Sequence, residues 1–87
     1  MDIRIDPHTL KRANERGAEE ADIKDVLETG DVIPAKRNRL AQAKVYPFEK
    51  ERLGKFYSEK RIEVMCVIEE ETIVTVTVYV FYGKWSK

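Results

Sequence analysis

The stretch "TIVTVTVYVFY", residues 72–82, is β-branched or aromatic throughout, with a valine at every second position from 74 to 80. A period of two over so many residues is the signature of a strand, because successive side chains leave opposite faces of the pleat. On this reading Val74, Val76, Val78 and Val80 point together into a core. Ile73, Thr75, Thr77, Tyr79 and Phe81 form the other face. Thr and Tyr favour strands wherever they sit, so that second face is either an ordinary exposed one or a half-wet working surface.

Upstream, "RIEVMCVIE" (61–69) reads as the adjoining strand. Glu70-Glu71 makes the break between the two, without the Gly or Asn that tight primed turns favour. "LAQAKVYPF" (40–48) and "KFYSEK" (55–60) suggest further strands. "DVIPA" (31–35) suggests a short one, placed at an edge by Pro34. "DIRI" (2–5) is a candidate first strand, with Ile3 and Ile5 on one face.

Between residues 6 and 30 the period is helical. Asp6-Pro7 supplies an N-cap and a first helical residue whose missing N–H costs nothing. That helix runs to about Arg16 and stops at Gly17, with a thin apolar stripe of Leu10 and Ala13. A second helix follows at about 19–29. Glu19 and Glu20 lie in its first turn, Glu20 and Lys24 are spaced to pair, Ile23, Val26 and Leu27 form its buried face, and Gly30 ends it. The expectation is a single α+β domain over residues 1–87, with two N-terminal helices packed on the valine face of a small antiparallel sheet.

Eighty-seven residues, 43% hydrophobic and 37% charged, are enough for one core. No apolar run approaches the roughly 18–20 residues of a membrane span, so no membrane partner is expected. The start "MDIRIDPH" lacks the basic-then-apolar layout of a signal peptide, which points to the cytoplasm. One cysteine, Cys66, fits a reducing compartment and reads as a small buried apolar group in a strand. Few Asn, Gln, Met and Cys beside many Glu, Lys and Arg lean toward a heat-adapted source. One His and one Cys offer no zinc ligand set, and no Gly-rich phosphate loop or nucleotide fingerprint is present, so neither metal nor cofactor is expected.

The formal net charge of zero is unevenly spread. Residues 1–35 hold 5 basic and 9 acidic side chains, a balance of −4. Residues 36–61 hold 9 and 3, giving +6, and residues 62–87 hold 2 and 4, giving −2. The cationic middle also carries Tyr46, Phe48, Phe56 and Tyr57. Cations for phosphates and rings for unstacked bases are what an RNA-contacting surface needs, and Arg37, Arg39 and Lys55 are its candidate contacts. The other reading is a solvated hairpin whose Lys and Arg guard sheet edges.

The order of the motifs resembles a known group. His8 at a helix start, Arg12 four residues on, "ERG" at 15–17, a second helix closing on "VLETGDVI" and a last strand "TVTVYVFYG" are similar to an uncharacterised family of small prokaryotic single-domain proteins. That family in turn looks similar to RelE-type and BrnT-type ribonuclease toxins of toxin–antitoxin pairs. The resemblance implies a RelE-like fold, a toxin-type endoribonuclease, an antitoxin partner and RNA as substrate. It singles out His8, Arg12 and Arg16 on the first helix, and Thr77 and Tyr79 on the last strand. The neutral overall charge departs from the basic character of such toxins, and "YGKWSK" at the end has no arginine cluster.

The chemistry stands beside that resemblance. Metal-free RNA cleavage needs a group to take or give a proton and cations around the phosphorane. Imidazole suits the first role near neutral pH. His8, Arg12 and Arg16 follow one another at four-residue steps, each ~40° further round the helix, and so share a side. In this reading His8 is the acid or base, Arg12 stabilises the phosphorane, and Tyr79 orients the nucleotide. Arg16 and Thr77 join Arg37, Arg39 and Lys55 in binding substrate. The alternative is a non-catalytic protein- or RNA-binding module on the same fold.

Overall fold

The computed structural model describes residues 2–86. Its elements are β1 (Asp2–Ile5), α1 (Pro7–Arg16), α2 (Glu20–Thr29), β2 (Asp31–Ile33), β3 (Leu40–Arg52), β4 (Lys55–Glu69) and β5 (Thr72–Gly83). Local chemistry explains the helix ends. The Asp6 carboxylate accepts from the backbone N–H groups of His8 (3.0 Å) and Thr9 (3.2 Å), filling two of the free donors at the start of α1. At α2 the Glu19 N–H donates to Asp22 at 2.9 Å, and Lys24 pairs with Glu20 at 3.0 Å one turn along. Gly17 ends α1 at φ +105, a left-handed conformation that L side chains rarely adopt.

The sheet runs β1-β5-β4-β3-β2. From β2 to β5 it is the expected antiparallel meander, but β1 lies parallel to β5, with Ile3 opposite Ile73 and Ile5 opposite Thr75. The sheet is therefore mixed, which corrects the expectation of an antiparallel one. The physical reason is that β1 fills the open edge of β5, and its Ile3 and Ile5 pack against the helix-side core. Such a pairing joins opposite ends of the chain and leaves no local pattern. A second correction concerns length. Residues 55–60 and 61–69 form one strand, which pairs with β3 as far as Arg52 opposite Lys55. The tip of this hairpin is Leu53-Gly54, both at positive φ.

The valine register also needs correcting. Thr77 lies opposite Met65 but Thr75 lies opposite Cys66, so Val76 is one residue too many for its partner strand. This β-bulge reverses the phase of β5. Beyond it Val78 is buried and Val80 packs on the core, as expected. Before it Ile73 packs on the core and Thr75, 2% exposed, is buried beside Cys66. Val74 and Val76 are only partly buried. The core otherwise joins Ala13 and Ala18, the Ile23–Val26–Leu27 face of α2, and Ile62, Val64 and Cys66 of β4. Both helices thus lie on one face, the side of the even-numbered residues of β4. α1 lies along β5, and α2 over β3 and β4. Gly30 allows that contact, since a side chain there would meet the carbonyls of Val26 and Ala43.

Candidate functional site

The bulge at Val76 is also where β1 stops, because its last partner is Thr75. From there β5 has no strand on its outer side. α1 lies along that open edge and supplies donors that a strand would otherwise provide. Thr9 Oγ1 reaches the Val76 carbonyl at 3.5 Å, and Arg16 Nη1 donates to the Val78 carbonyl at 2.7 Å. The Arg16 guanidinium also rests over the Tyr79 ring, 5.7 Å from its centroid. Tyr79 stands opposite Glu63, on the face away from the helices, and is 40% exposed.

Helix and edge enclose a cleft of about 320 Å³, lined by His8, Thr9, Arg12, Arg16 and the strand residues Val76–Tyr79. Five residues singled out from sequence therefore meet in one place: His8, Arg12, Arg16, Thr77 and Tyr79. No carboxylate lines it. His8 and Arg12 are exposed, and among the described residues neither side chain has a hydrogen-bond partner. Arg16, in contrast, is half-buried and committed to Val78 and Tyr79. Arg12 is thus the freer ligand for an incoming phosphate.

The cationic segment 36–61 does not act as one surface. Lys44 donates to Asp25 and to Thr29 Oγ1, both at 2.8 Å, and Arg61 pairs with Glu63 at 2.9 Å. Arg52 donates to the Glu15 carbonyl at 3.1 Å and Lys60 to the Gly17 carbonyl at 2.9 Å. These two cations, with the Tyr82 hydroxyl on the Arg16 carbonyl at 2.7 Å, satisfy the negative end of the α1 dipole. Lys55 lies over the Tyr57 ring beside the hairpin tip and Arg37 sits in the β2–β3 turn, and neither lines the His8 cleft.

Arg39 does reach the same neighbourhood. With Lys36, Pro34, Ala35 and Met65 it lines a second cleft of about 330 Å³, and Thr77 and Tyr79 are walls of both. Thr9 and Lys36 are lining residues that sequence reasoning passed over. Thr9 adjoins His8 in the first turn of α1, and Lys36 opens the basic run "KRNR", so each carried a weak signal. A larger cleft of about 660 Å³ on another side of α1 is lined by Glu19, Glu20 and Asp22 with Leu10, Asn14, Gly17 and Lys60. Its acidic lining would repel a polyanion.

Titratable groups with shifted affinities for protons serve the frame. Hydrogen bonds from Lys44 and then Tyr46 (2.6 Å) hold the Asp25 carboxyl below its ordinary value, while burial and the bond to Asp25 push the Tyr46 hydroxyl up. Ser86 and Trp85 hold Glu59 down by donating to it, which fastens the chain's end to β4. Burial raises the Cys66 thiol, so it packs as an apolar group.

No curated protein and no solved structure matches the chain. One family model does, over residues 5–80, from the end of β1 through both helices to Val80 of the last strand. It is described as a domain of unknown function, and its span takes in every residue lining the two clefts around Tyr79. The chain belongs to this family, DUF4258.

Proposed function

We propose that this chain is a toxin-type endoribonuclease that cleaves RNA without a metal ion and is held in check by an antitoxin protein. The observation that carries the reading is the shared cleft of His8, Arg12 and Tyr79, which no carboxylate lines. In this mechanism the RNA 2′-oxygen attacks the adjacent phosphorus and His8 takes its proton. The phosphorus–5′-oxygen bond breaks, the leaving oxygen is protonated by water, and a 2′,3′-cyclic phosphate and a 5′-hydroxyl result. Arg12 neutralises the charge on the phosphorane oxygens, with the bidentate geometry that guanidinium offers. Tyr79, steadied by Arg16, holds the base of the scissile nucleotide. Of the two guanidinium groups lining the cleft, Arg16 is committed to Val78 and Tyr79, so charge stabilisation in this step falls to Arg12. The order of motifs around "ERG" adds support at one remove, through the resemblance to an uncharacterised family that in turn looks similar to ribonuclease toxins.

The test is cleavage of an unstructured RNA in EDTA, with end-group analysis of the products. His8→Gln is expected to lower the rate roughly 10²-fold or more, as loss of a general acid or base does. Arg12→Gln is expected to slow it without abolishing RNA binding. Cleavage and growth inhibition that survive His8→Gln would show the mechanism to be wrong. A second reading, a non-catalytic RNA-binding module, draws on the His8 ring itself: among the described residues no side chain orients it, whereas a catalytic base is usually held by a third group. RNA that is bound through Arg12 but never cut would establish that alternative.

A further inference from the structure

Tyr79 and Thr77 are walls of two clefts, not one. On the helix side lie His8, Arg12 and Arg16, and on the sheet-face side lie Lys36 and Arg39. Neither lining contains a carboxylate, although the chain holds as many acidic as basic residues. The two volumes, about 320 and 330 Å³, are near the lower end of the roughly 300–1,000 Å³ typical of small-ligand sites. Each has room for about one nucleotide. Between them stands an aromatic ring, 40% exposed, on a sheet face that no helix covers.

We infer that single-stranded RNA crosses the edge of β5, with one phosphate at Arg12, a base stacked on Tyr79, and a neighbouring phosphate held by Lys36 and Arg39. The inference rests on the reading of the His8 cleft as an RNA site and adds to it a second subsite on the β2–β3 loop. The geometry selects a single strand. In a duplex the base faces are stacked on one another and cannot reach Tyr79, whereas an unpaired base can lie on the ring while its flanking phosphates meet cations on either side. The chemistry also separates the two ends. Arg12 adjoins the one imidazole and belongs to the reacting phosphate, while Lys36 and Arg39 have neither an imidazole nor a carboxylate beside them in their cleft and act in positioning only.

The experiment uses the whole chain and a fluorescein-labelled hexauridylate with 2′-O-methyl groups, which binds but cannot be cut. Lys36→Gln with Arg39→Gln is expected to weaken binding about tenfold. It is also expected to reduce the slope of log affinity against log salt by about 0.7–1.4, as one or two fewer phosphates are neutralised. Both side chains are exposed and, among the described residues, neither has a hydrogen-bond or ion-pair partner, so the melting temperature should stay put. Tyr79→Ala is expected to cost about tenfold and Tyr79→Phe little, since stacking needs the ring and not the hydroxyl. A hexamer duplex should bind more weakly, with no response to Tyr79→Ala.

If Arg12→Gln weakens binding while the Lys36/Arg39 pair changes neither affinity nor slope, RNA is confined to the His8 cleft and the second subsite is overturned, with the proposed function intact. If the pair weakens binding but His8→Gln leaves cleavage of ordinary RNA untouched, the subsite stands and the catalytic reading falls. Duplex binding equal to single-strand binding would overturn the stacking assignment and leave only a charged surface.

Discussion

Gly17 performs two tasks at one atom. Its φ of +105 disfavours any side chain, and a Cβ there would run into the hydroxyl of Tyr82, the group that donates to the Arg16 carbonyl. Gly17→Ala is therefore expected to cost about 2 kcal/mol or more in a denaturant titration. Tyr82→Phe removes the clashing oxygen together with its hydrogen bond and should cost about 1 kcal/mol by itself. In the double variant the steric part of the Gly17 penalty is relieved and the backbone part remains, so the combined loss is expected to fall short of the two single losses added. Additive losses would show that Tyr82 does not constrain Gly17. The same residues explain why "ERG" is followed at a distance by "FYG": the end of α1 is gripped by Tyr82, Arg52 and Lys60 from three strands further along the chain.

At the level of elements, the β5 bulge decides which valines matter. Val78 is 2% exposed, whereas Val76 lies at the bulge, lines the His8 cleft and gives its carbonyl to Thr9. Val78→Ala should cost on the order of 1–3 kcal/mol through lost burial and a cavity, and Val76→Ala less than half of that. Equal costs would mean an unbroken register. The β4–β5 turn offers the opposite case. Glu70 and Glu71 both have positive φ (48 and 66), the sign that a type I′ turn needs and that Asn-Gly accommodates best. Replacing the pair with Asn-Gly is expected to stabilise the fold by about 1 kcal/mol, read as a raised melting temperature, with no effect on RNA binding.

For the molecule as a whole, pH dependence reports the ties between layers. Asp25 joins α2 to β3 through Lys44 and Tyr46, and Glu59 joins the end of the chain to β4. Both carboxyls are held below their ordinary values of 3.8 and 4.5, so the unfolded chain binds protons more readily than the folded one as acid is added. Their stabilisation is present in full above those ordinary values and is lost as pH falls through the lowered folded values. Asp25→Asn should shrink the acid-side loss of stability measured between pH 5 and about pH 2. Tyr46 works in the other direction. Its raised folded value means stability present below its ordinary 10.0 and lost as pH climbs beyond it. Tyr46→Phe should flatten that alkaline limb and lower stability at neutral pH, where the bond to Asp25 is made.

Much of this architecture is legible in the sequence alone. The caps at Asp6-Pro7, the stops at Gly17 and Gly30, the Glu20–Lys24 pair and the buried Ile23, Val26 and Leu27 all follow from neighbours within a turn or two, where spacing alone sets geometry. So does the sharing of one helix side by His8, Arg12 and Arg16. Three features were decided only in the folded chain. The parallel β1–β5 pair joins residues about seventy apart and has no local pattern. The bulge at Val76 interrupts an alternation that is unbroken in sequence, because strand partners and not hydropathy determine where an extra residue is tolerated. Of the cations of residues 36–61, Lys44, Arg52, Lys60 and Arg61 are spent on carbonyls and carboxylates, Lys36 and Arg39 stand beside Tyr79, and the rest belong to neither group. Charge is a property of the residue, but what that charge is free to bind depends on which carbonyls the fold brings within reach.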